Sequence, residues 1–373
     1  LYYAAKKNKS KSGVMITGSH NPKEYNGIKL VINDKPISGN EILKLIYVDK
    51  EISNKSGNVS YIDIKNDYIL EVKDNINFDC KNKIKVVVDC GNGAAGCIAP
   101  ILYKKLGCEV IELFSEVDGN FPNHHPDPGK LENLKALIDS VKANNADLGL
   151  AFDGDGDRVG LITDKGGVVF PDKILMMLSE DILHTKKGTI IFDVKCSNSL
   201  SEHIEKFGGN PIMYPTGHFH IKNGIKKHNP LLAGEMSGHI FFNDKWHGFD
   251  DGHYSGARII ELISKRKSKI SSIEEELPKL YSTPELNINV TDENKFKIIK
   301  DFSKNCNLKG EKIFIDGLRI NFKNGWGLIR ASNTTPKLVL RFEGNSKEDL
   351  LSIKKNFLDE LSRISPDIDI NLN

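Results

Sequence analysis

Leu148-Gly149-Leu150-Ala151-Phe152-Asp153-Gly154-Asp155-Gly156-Asp157-Arg158-Val159-Gly160-Leu161-Ile162-Thr163 sets an apolar run of strand length on each side of a short acidic turn. Apolar runs this short, bounded by turn residues, read as buried strands. Upstream, Lys83–Asp89 has the same character, Ala94–Leu106 is helical and Cys108–Phe114 is again a strand. Strands alternating with helix-length patterns predict βαβ units and a mainly parallel sheet. The plan recurs from Phe170-Pro171, with a helix at Ile174–Leu183, a strand at Thr189–Val194 and a helix at Leu200–Phe207. Ahead of both, Gly13–Ile16 leads into a polar loop. A helical stretch follows around Ile42–Ile46, then a polar break at 54–58.

From about Tyr281 the pattern changes. Asp292–Cys306 reads as a helix, followed by short strands at Lys312–Ile315, Arg319–Phe322, Gly327–Ala331 and Leu338–Phe342. Ser346-Lys347-Glu348-Asp349 forms a capping box. The helix it opens carries Leu350, Ile353, Phe357, Leu361 and Ile364 as one apolar stripe. The expected organisation is three similar mixed-sheet α/β units at 1–64, 65–167 and 168–280, and a smaller α+β unit at 281–373.

Composition narrows the partners. The chain has 373 residues, 39% hydrophobic and 27% charged, with a net charge of only +2. Nothing global points to nucleic acid, so any anion site must be local. No apolar stretch approaches the roughly 18 residues of a membrane span. Six cysteines without metal-type spacing read as reduced thiols of a cytoplasmic protein.

Four loops carry chemistry. Asp153, Asp155 and Asp157 alternate with glycines that let the backbone curl and aim all three carboxylates at one hard cation. A calcium loop of the EF-hand kind needs glycine sixth and glutamate twelfth, where this chain has Arg158 and Asp164, so Mg²⁺ is the expected ion. Thr17-Gly18-Ser19-His20-Asn21-Pro22 presents a serine on a tight turn, with Lys29 on the following apolar run, a pattern suited to phosphoryl transfer. Gly234-Glu235-Met236-Ser237-Gly238-His239 gathers a carboxylate, a hydroxyl and an imidazole, which suits vicinal sugar hydroxyls. A polar hairpin turn is the ordinary alternative for it. Arg330-Ala331-Ser332-Asn333-Thr334-Thr335-Pro336 offers a guanidinium, hydroxyls and an amide as a phosphate cradle, with Arg341 as a second flanking cation. Thr216-Gly217-His218 and Asp193–Ser197, including Lys195, stand at apparent strand ends, where α/β proteins place ligands. Gly91-Asn92-Gly93-Ala94-Ala95-Gly96 matches a dinucleotide fingerprint, with Glu112 about where a ribose-binding acid belongs. No hydride-transfer site accompanies it, and the glycines read instead as a tight strand-to-helix turn.

Taken together, these loops and Phe121–Pro128 resemble the α-D-phosphohexomutase superfamily, within it the bacterial phosphomannomutase/phosphoglucomutase group. The resemblance spans essentially the whole chain. It implies four domains around a central cleft and a reaction moving a phosphoryl group between O1 and O6 of glucose or mannose. It further implies a phosphoserine at Ser19, a 1,6-bisphosphosugar intermediate, and Mg²⁺ held by Asp153, Asp155, Asp157 and an oxygen on Ser19. Arg158 is implied as an electrophile, Lys29 and His239 as general acid and base, and His20 as support for the serine loop. The substrate would be held by Lys195, His218, Glu235, Ser237, Arg330, Ser332, Asn333 and Thr334. Hexose phosphates are the expected substrates, with glucose 1,6-bisphosphate or mannose 1,6-bisphosphate as activator, and the protein is expected as a monomer or weak dimer. Met236 resembles the glucose and mannose members, whereas phosphoglucosamine mutases usually carry glutamine there. A Mg²⁺-dependent sugar-phosphate phosphatase is the rival from another class. Family members open with a strand and an arginine-bearing glycine loop. Here Leu1–Lys7 reads as the end of a helix, so the first domain is expected to be incomplete.

Overall fold

Four β-sheets succeed one another along the chain in the computed structural model, which describes residues 1–46, 57–78, 83–279 and 281–370. The first sheet joins Gly13–Ile16, Ile28–Ile32 and Lys35–Pro36, all antiparallel. In the second, the order is Glu109–Leu113, Lys85–Asp89, Leu148–Phe152, Val159–Thr163, Val168–Val169. The third runs Asn210–Tyr214, Thr189–Asp193, Leu232–Gly234, Ile240–Phe242. The last is a six-stranded sheet with antiparallel pairing throughout, covered by helices Asp292–Asn305 and Lys347–Ile364.

The expected mixed sheets are present; the mainly parallel reading holds for the third sheet, where two of three pairings are parallel, but not for the second, where they divide equally. In the second sheet Lys85–Asp89 is parallel to both neighbours, but the strands after the acidic loop are antiparallel. The third sheet likewise turns back after Leu232–Gly234. Loop length is the reason: residues 153–158 span a hairpin, whereas a parallel return needs a crossover of roughly a dozen residues or more. The helix read over Ala94–Leu106 is also divided, into a 3₁₀ turn at Ala94–Cys97 and an α-helix at Ala99–Leu106. Pro100, which has no N–H to give an ongoing helix, stands in the first turn of the second piece. The helix near Ile42–Ile46 is present as Gly39–Ile46, and the polar break at 54–58 lies partly outside the described residues. Cys80 lies outside them too; the five described cysteines are free thiols. No helix among the described residues is long and apolar enough to cross a membrane.

Packing divides the chain unequally. One continuous core runs from Tyr3 and Tyr68 through Val86, Leu150 and Leu175 to Phe192 and Ile260, and so joins the first three sheets' surroundings. The last sheet has its own core around Phe302, Leu318, Phe342, Phe357 and Leu361. Its closing helix begins where the Ser346 hydroxyl caps the Asp349 N–H at 3.0 Å. The predicted stripe faces that core, with Ile353, Phe357 and Leu361 buried.

Two polar joints lock the parts together. The first is the Asp251 carboxylate, which caps the helix Gly252–Arg266 through the Tyr254 N–H and accepts the Tyr68 hydroxyl at 2.7 Å. The second surrounds buried Trp326, with the Arg319 guanidinium 3.7 Å from its ring. Arg319 donates to the Val194 and Cys196 carbonyls, and Arg341 to the Lys195 carbonyl and Asp172. Both arginines therefore hold the carboxyl end of strand Thr189–Asp193. The Tyr68→Phe variant keeps the ring but removes a buried donor from Asp251. It is expected to lose about 1–3 kcal/mol, seen as a lower urea midpoint at unchanged slope. A wild-type midpoint would show this joint to be idle.

Candidate active site

The serine loop is shaped by backbone geometry before any side chain acts. Thr17 leaves its strand with its N–H on the Gly27 carbonyl at 3.0 Å, and Asn21 N–H closes a turn on the Gly18 carbonyl at 2.8 Å. Ser19 lies inside that turn at φ 51°, a left-handed conformation that is costly for a residue with a Cβ. The Thr17 hydroxyl accepts the Ser19 N–H at 2.8 Å and donates to Asp155 Oδ2 at 3.0 Å. The serine loop is thus tied directly to the acidic loop. Gly154 makes this approach possible, because a Cβ there would lie 2.2 Å from the Ser19 carbonyl oxygen.

The Ser19 hydroxyl donates to Asp153 Oδ2 at 3.1 Å and lies 3.2 Å from His20 Nδ1. Burial and the Arg158 charge push His20 down to about 4, so its ring is neutral near pH 7. His125 Nε2 fixes the His20 carbonyl from the opposite side.

Asp153, Asp155 and Asp157 each bring an oxygen within 4.8 Å of the others. Burial, then the neighbouring Asp157 and Asp155 charges, raise Asp153 well above the carboxylate range. Lys29 answers that repulsion with its ammonium 2.7 Å from Asp155 and 2.5 Å from Asp157. Burial alone would lower Lys29, but Asp157 and Asp155 carry it well above the usual lysine range. The buried Asp155 Oδ1 has no hydrogen-bond partner among the described residues. An all-oxygen, strongly anionic cluster with a vacant lone pair fits a hard divalent cation.

The glycine run that resembled a dinucleotide fingerprint braces this cluster. Ala94 N–H donates to the Gly154 carbonyl at 2.9 Å, and a Cβ on Gly93 would lie 2.8 Å from that same oxygen.

The loop at 234–239 is stitched to the acidic loop by a bridge between Arg158 and His239. His239 Nε2 lies 3.2 Å from both Asp157 Oδ1 and Arg158 Nε. Its Nδ1 faces Glu235 Oε2 at 3.1 Å and the Ser237 hydroxyl at 2.9 Å. Burial alone would lower His239, yet Asp157 holds it up at about 9. A free imidazole titrates near neutrality; between two buried carboxylates this one is instead a cation there. Glu235 is buried, and its Oε1 accepts the Gly217 N–H at 2.6 Å.

The loop after Gly325–Ala331 meets this line from the last sheet. Asn333 Nδ2 donates to the Thr216 carbonyl at 3.3 Å. Asp316 accepts from both Arg330 Nε, at 2.8 Å, and the Thr216 N–H, at 3.1 Å. Arg330 Nη2 is buried without a hydrogen-bond partner among the described residues, a free donor in a polar site. The Ser332 hydroxyl accepts from Thr335 Oγ1 at 2.8 Å and shapes the turn. Lys195 pairs with Glu285 and lies 3.8 Å from Asp193. Contacts therefore run unbroken from Ser19 through the aspartates, His239, Glu235 and Gly217 to Asn333 and Arg330. Arg341 does not join them: it is buried, and its Nη1 and Nη2 go to Lys195's carbonyl and Asp172. Sequence reading missed Asp316 and Glu285, single residues whose loops carry no spacing signal, and gave the Thr17 side chain no role of its own within the serine loop.

Gly154→Ala tests the contact between the two loops. The added methyl must push Ser19 away by an ångström or more, which is expected to cost about a hundredfold in kcat. Unchanged turnover would show that the close approach is not needed.

Comparison with known proteins places this geometry. The family models of phosphoglucomutase/phosphomannomutase match in order: α/β/α domain I over residues 1–52, domain II over 66–166, domain III over 170–281 and the C-terminal domain over 285–360. A Pseudomonas syringae pv. tomato protein named phosphomannomutase/phosphoglucomutase is 52% identical over 99% of this chain and 80% of its own length. A Neisseria gonorrhoeae phosphoglucomutase is 46% identical over 96% of this chain and 79% of its own. A crystal structure of a phosphoglucomutase/phosphomannomutase family protein from Burkholderia thailandensis superposes with a TM-score of 0.90. It is 43% identical and covers 97% of this chain and 78% of that one. Similarity at this level, carried through all four domains, means that the chain belongs to the phosphoglucomutase/phosphomannomutase family and is a hexose phosphate mutase, an isomerase that works by phosphoryl transfer.

Proposed function

We propose that Ser19 carries the phosphoryl group between the O1 and O6 positions of glucose or mannose phosphate. The observation that supports this most directly is the Ser19 hydroxyl at 3.1 Å from Asp153, inside a turn braced by Asp155 through Thr17. In one half-reaction the Ser19 Oγ–P bond breaks, a sugar O–P bond forms and the sugar hydroxyl gives up its proton. The 1,6-bisphosphosugar then reverses in the site and returns its other phosphoryl group to Ser19. Asp153, Asp155, Asp157 and an oxygen of phosphorylated Ser19 would hold Mg²⁺, which would supply charge neutralisation at the transferring group.

The chain's own residues do the rest. Lys29 and His239 are the candidate general acid and base. Asp157 holds both as cations, with Asp155 also at Lys29, so the one that accepts the sugar hydroxyl's proton must first be released from those carboxylates, as a cation bound to the same aspartates would do. Arg158, already on the acidic loop, adds positive charge beside the phosphoryl group. His20 steadies the serine turn. Arg330, through its free Nη2, grips the non-reacting phosphate together with Ser332, Asn333 and Thr334. Glu235 and Ser237 hold O3 and O4, which lie near the axis about which the sugar flips. Lys195 and His218 line the substrate site. With C2 left largely unread, both epimers fit. Glucose 1,6-bisphosphate or mannose 1,6-bisphosphate serves as activator by phosphorylating Ser19.

Ser19→Ala should abolish phosphoenzyme labelling and nearly all interconversion of glucose 1-phosphate and mannose 1-phosphate with their 6-phosphates in a coupled assay. Labelling retained at another residue would remove Ser19 from this role. Chelation should lower turnover by a hundredfold or more, with recovery on adding Mg²⁺. Stoichiometric release of inorganic phosphate in that assay would instead identify a phosphatase.

A further inference from the structure

Beside the reaction centre, in the second turn of helix His218–His228, Lys222 is almost fully buried and takes no part in the mechanism above. Its ammonium has three groups around it. Asp250 Oδ1 lies at 2.7 Å, the face of the Tyr2 ring at 3.4 Å from the centroid, and His218 Nδ1 at 3.4 Å. Burial lowers Lys222, but the Asp250 carboxylate opposes it; as an ammonium it has three N–H donors and no lone pair, so each of these neighbours can only accept. Asp250 does so as a carboxylate and Tyr2 through its π face. His218 Nδ1 must do so through a lone pair.

A neutral imidazole has one bare nitrogen and one N–H. Burial and the Lys222 charge push His218 down to about 4, which keeps its ring neutral near pH 7. The other group that could claim the Nδ1 proton is Asp250 Oδ2, which lies 3.6 Å away, beyond hydrogen-bond reach. With Nδ1 turned inward and the side chain 38% exposed, Nε2 is on the outward edge of the ring. Gly217, at φ 126°, turns the chain immediately before the histidine, and the Glu235 carboxylate holds its N–H.

We propose that Lys222 is a positioning residue that fixes the tautomer of His218, so that Nε2–H is a permanent hydrogen-bond donor to an oxygen of the bound sugar phosphate. The inference rests on His218 facing substrate, as argued above. Every ligand oxygen, whether of phosphate or hydroxyl, can accept from Nε2–H. A donor that never has to change its proton suits a substrate that must bind in two orientations. Because such a donor serves bound substrate and transition state alike, its loss falls mainly on KM.

The test is ¹⁵N NMR of histidine-labelled, unaltered enzyme, with the His218 signals assigned by their absence in His218→Ala. The expected spectrum has a bare Nδ1 and a protonated Nε2. A protonated Nδ1, or a fast-exchanging mixture, would overturn the proposal without any variant having to fold. In Lys222→Met the ring should lose its single tautomer and kcat/KM should fall at least tenfold, chiefly through KM, with partial recovery in Lys222→Arg. A Lys222→Met enzyme with wild-type kcat/KM would equally overturn it. Wild-type kinetics in His218→Ala would strike at the substrate-site reading instead and take the proposal with it, even if the tautomer were as stated.

Discussion

Three carboxylates cannot be packed together away from water unless positive charge is brought to them, and much of this molecule's architecture meets that demand. Asp153, Asp155 and Asp157 come from one turn, but their counter-charges come from three places. Lys29 arrives from the first sheet, Arg158 from the end of the turn itself, and His239 from the third sheet. Lys29 and His239 are each held by two acids and Arg158 by Asp153, so the aspartates act as the common point on which separate parts of the chain converge. A divalent ion is a further source of the same positive charge, and it would compete with Lys29 for Asp155 and Asp157.

Convergence also requires backbones to come unusually close. Gly154 against Ser19, and Gly93 against Gly154, stack three loops with no side chain between them. That spacing puts a hydroxyl within reach of a buried carboxylate. The joint at Trp326 works differently. There two guanidiniums reach past the interface and bond to main-chain carbonyls, leaving the last sheet with its own core but its neighbour's strand end firmly attached.

What could be read from sequence follows from how local each signal is. The acidic turn and the serine loop each state their chemistry within about six residues, and the α/β character shows in the apolar runs around them. Arg341 was misread because proximity along the chain to Arg330 says nothing about what its side chain meets. The register sets Arg341 opposite Leu328, on the same face as Arg330 but further along the sheet, and its acidic partner Asp172 is distant in sequence. Asp316 and Glu285 were invisible for the same reason: their partners, Thr216 and Lys195, belong to another sheet. The proton on His239 could not be read from sequence, because a ring enclosed by two acids departs from free imidazole chemistry.

The left-handed backbone at Ser19 has a consequence for which amino acid can serve there. Threonine offers an equivalent hydroxyl, but its branched Cβ crowds the main chain, and a branched residue at φ 51° is strongly disfavoured. Chemistry alone would allow either alcohol as phosphate carrier; the shape of the turn admits only the unbranched one.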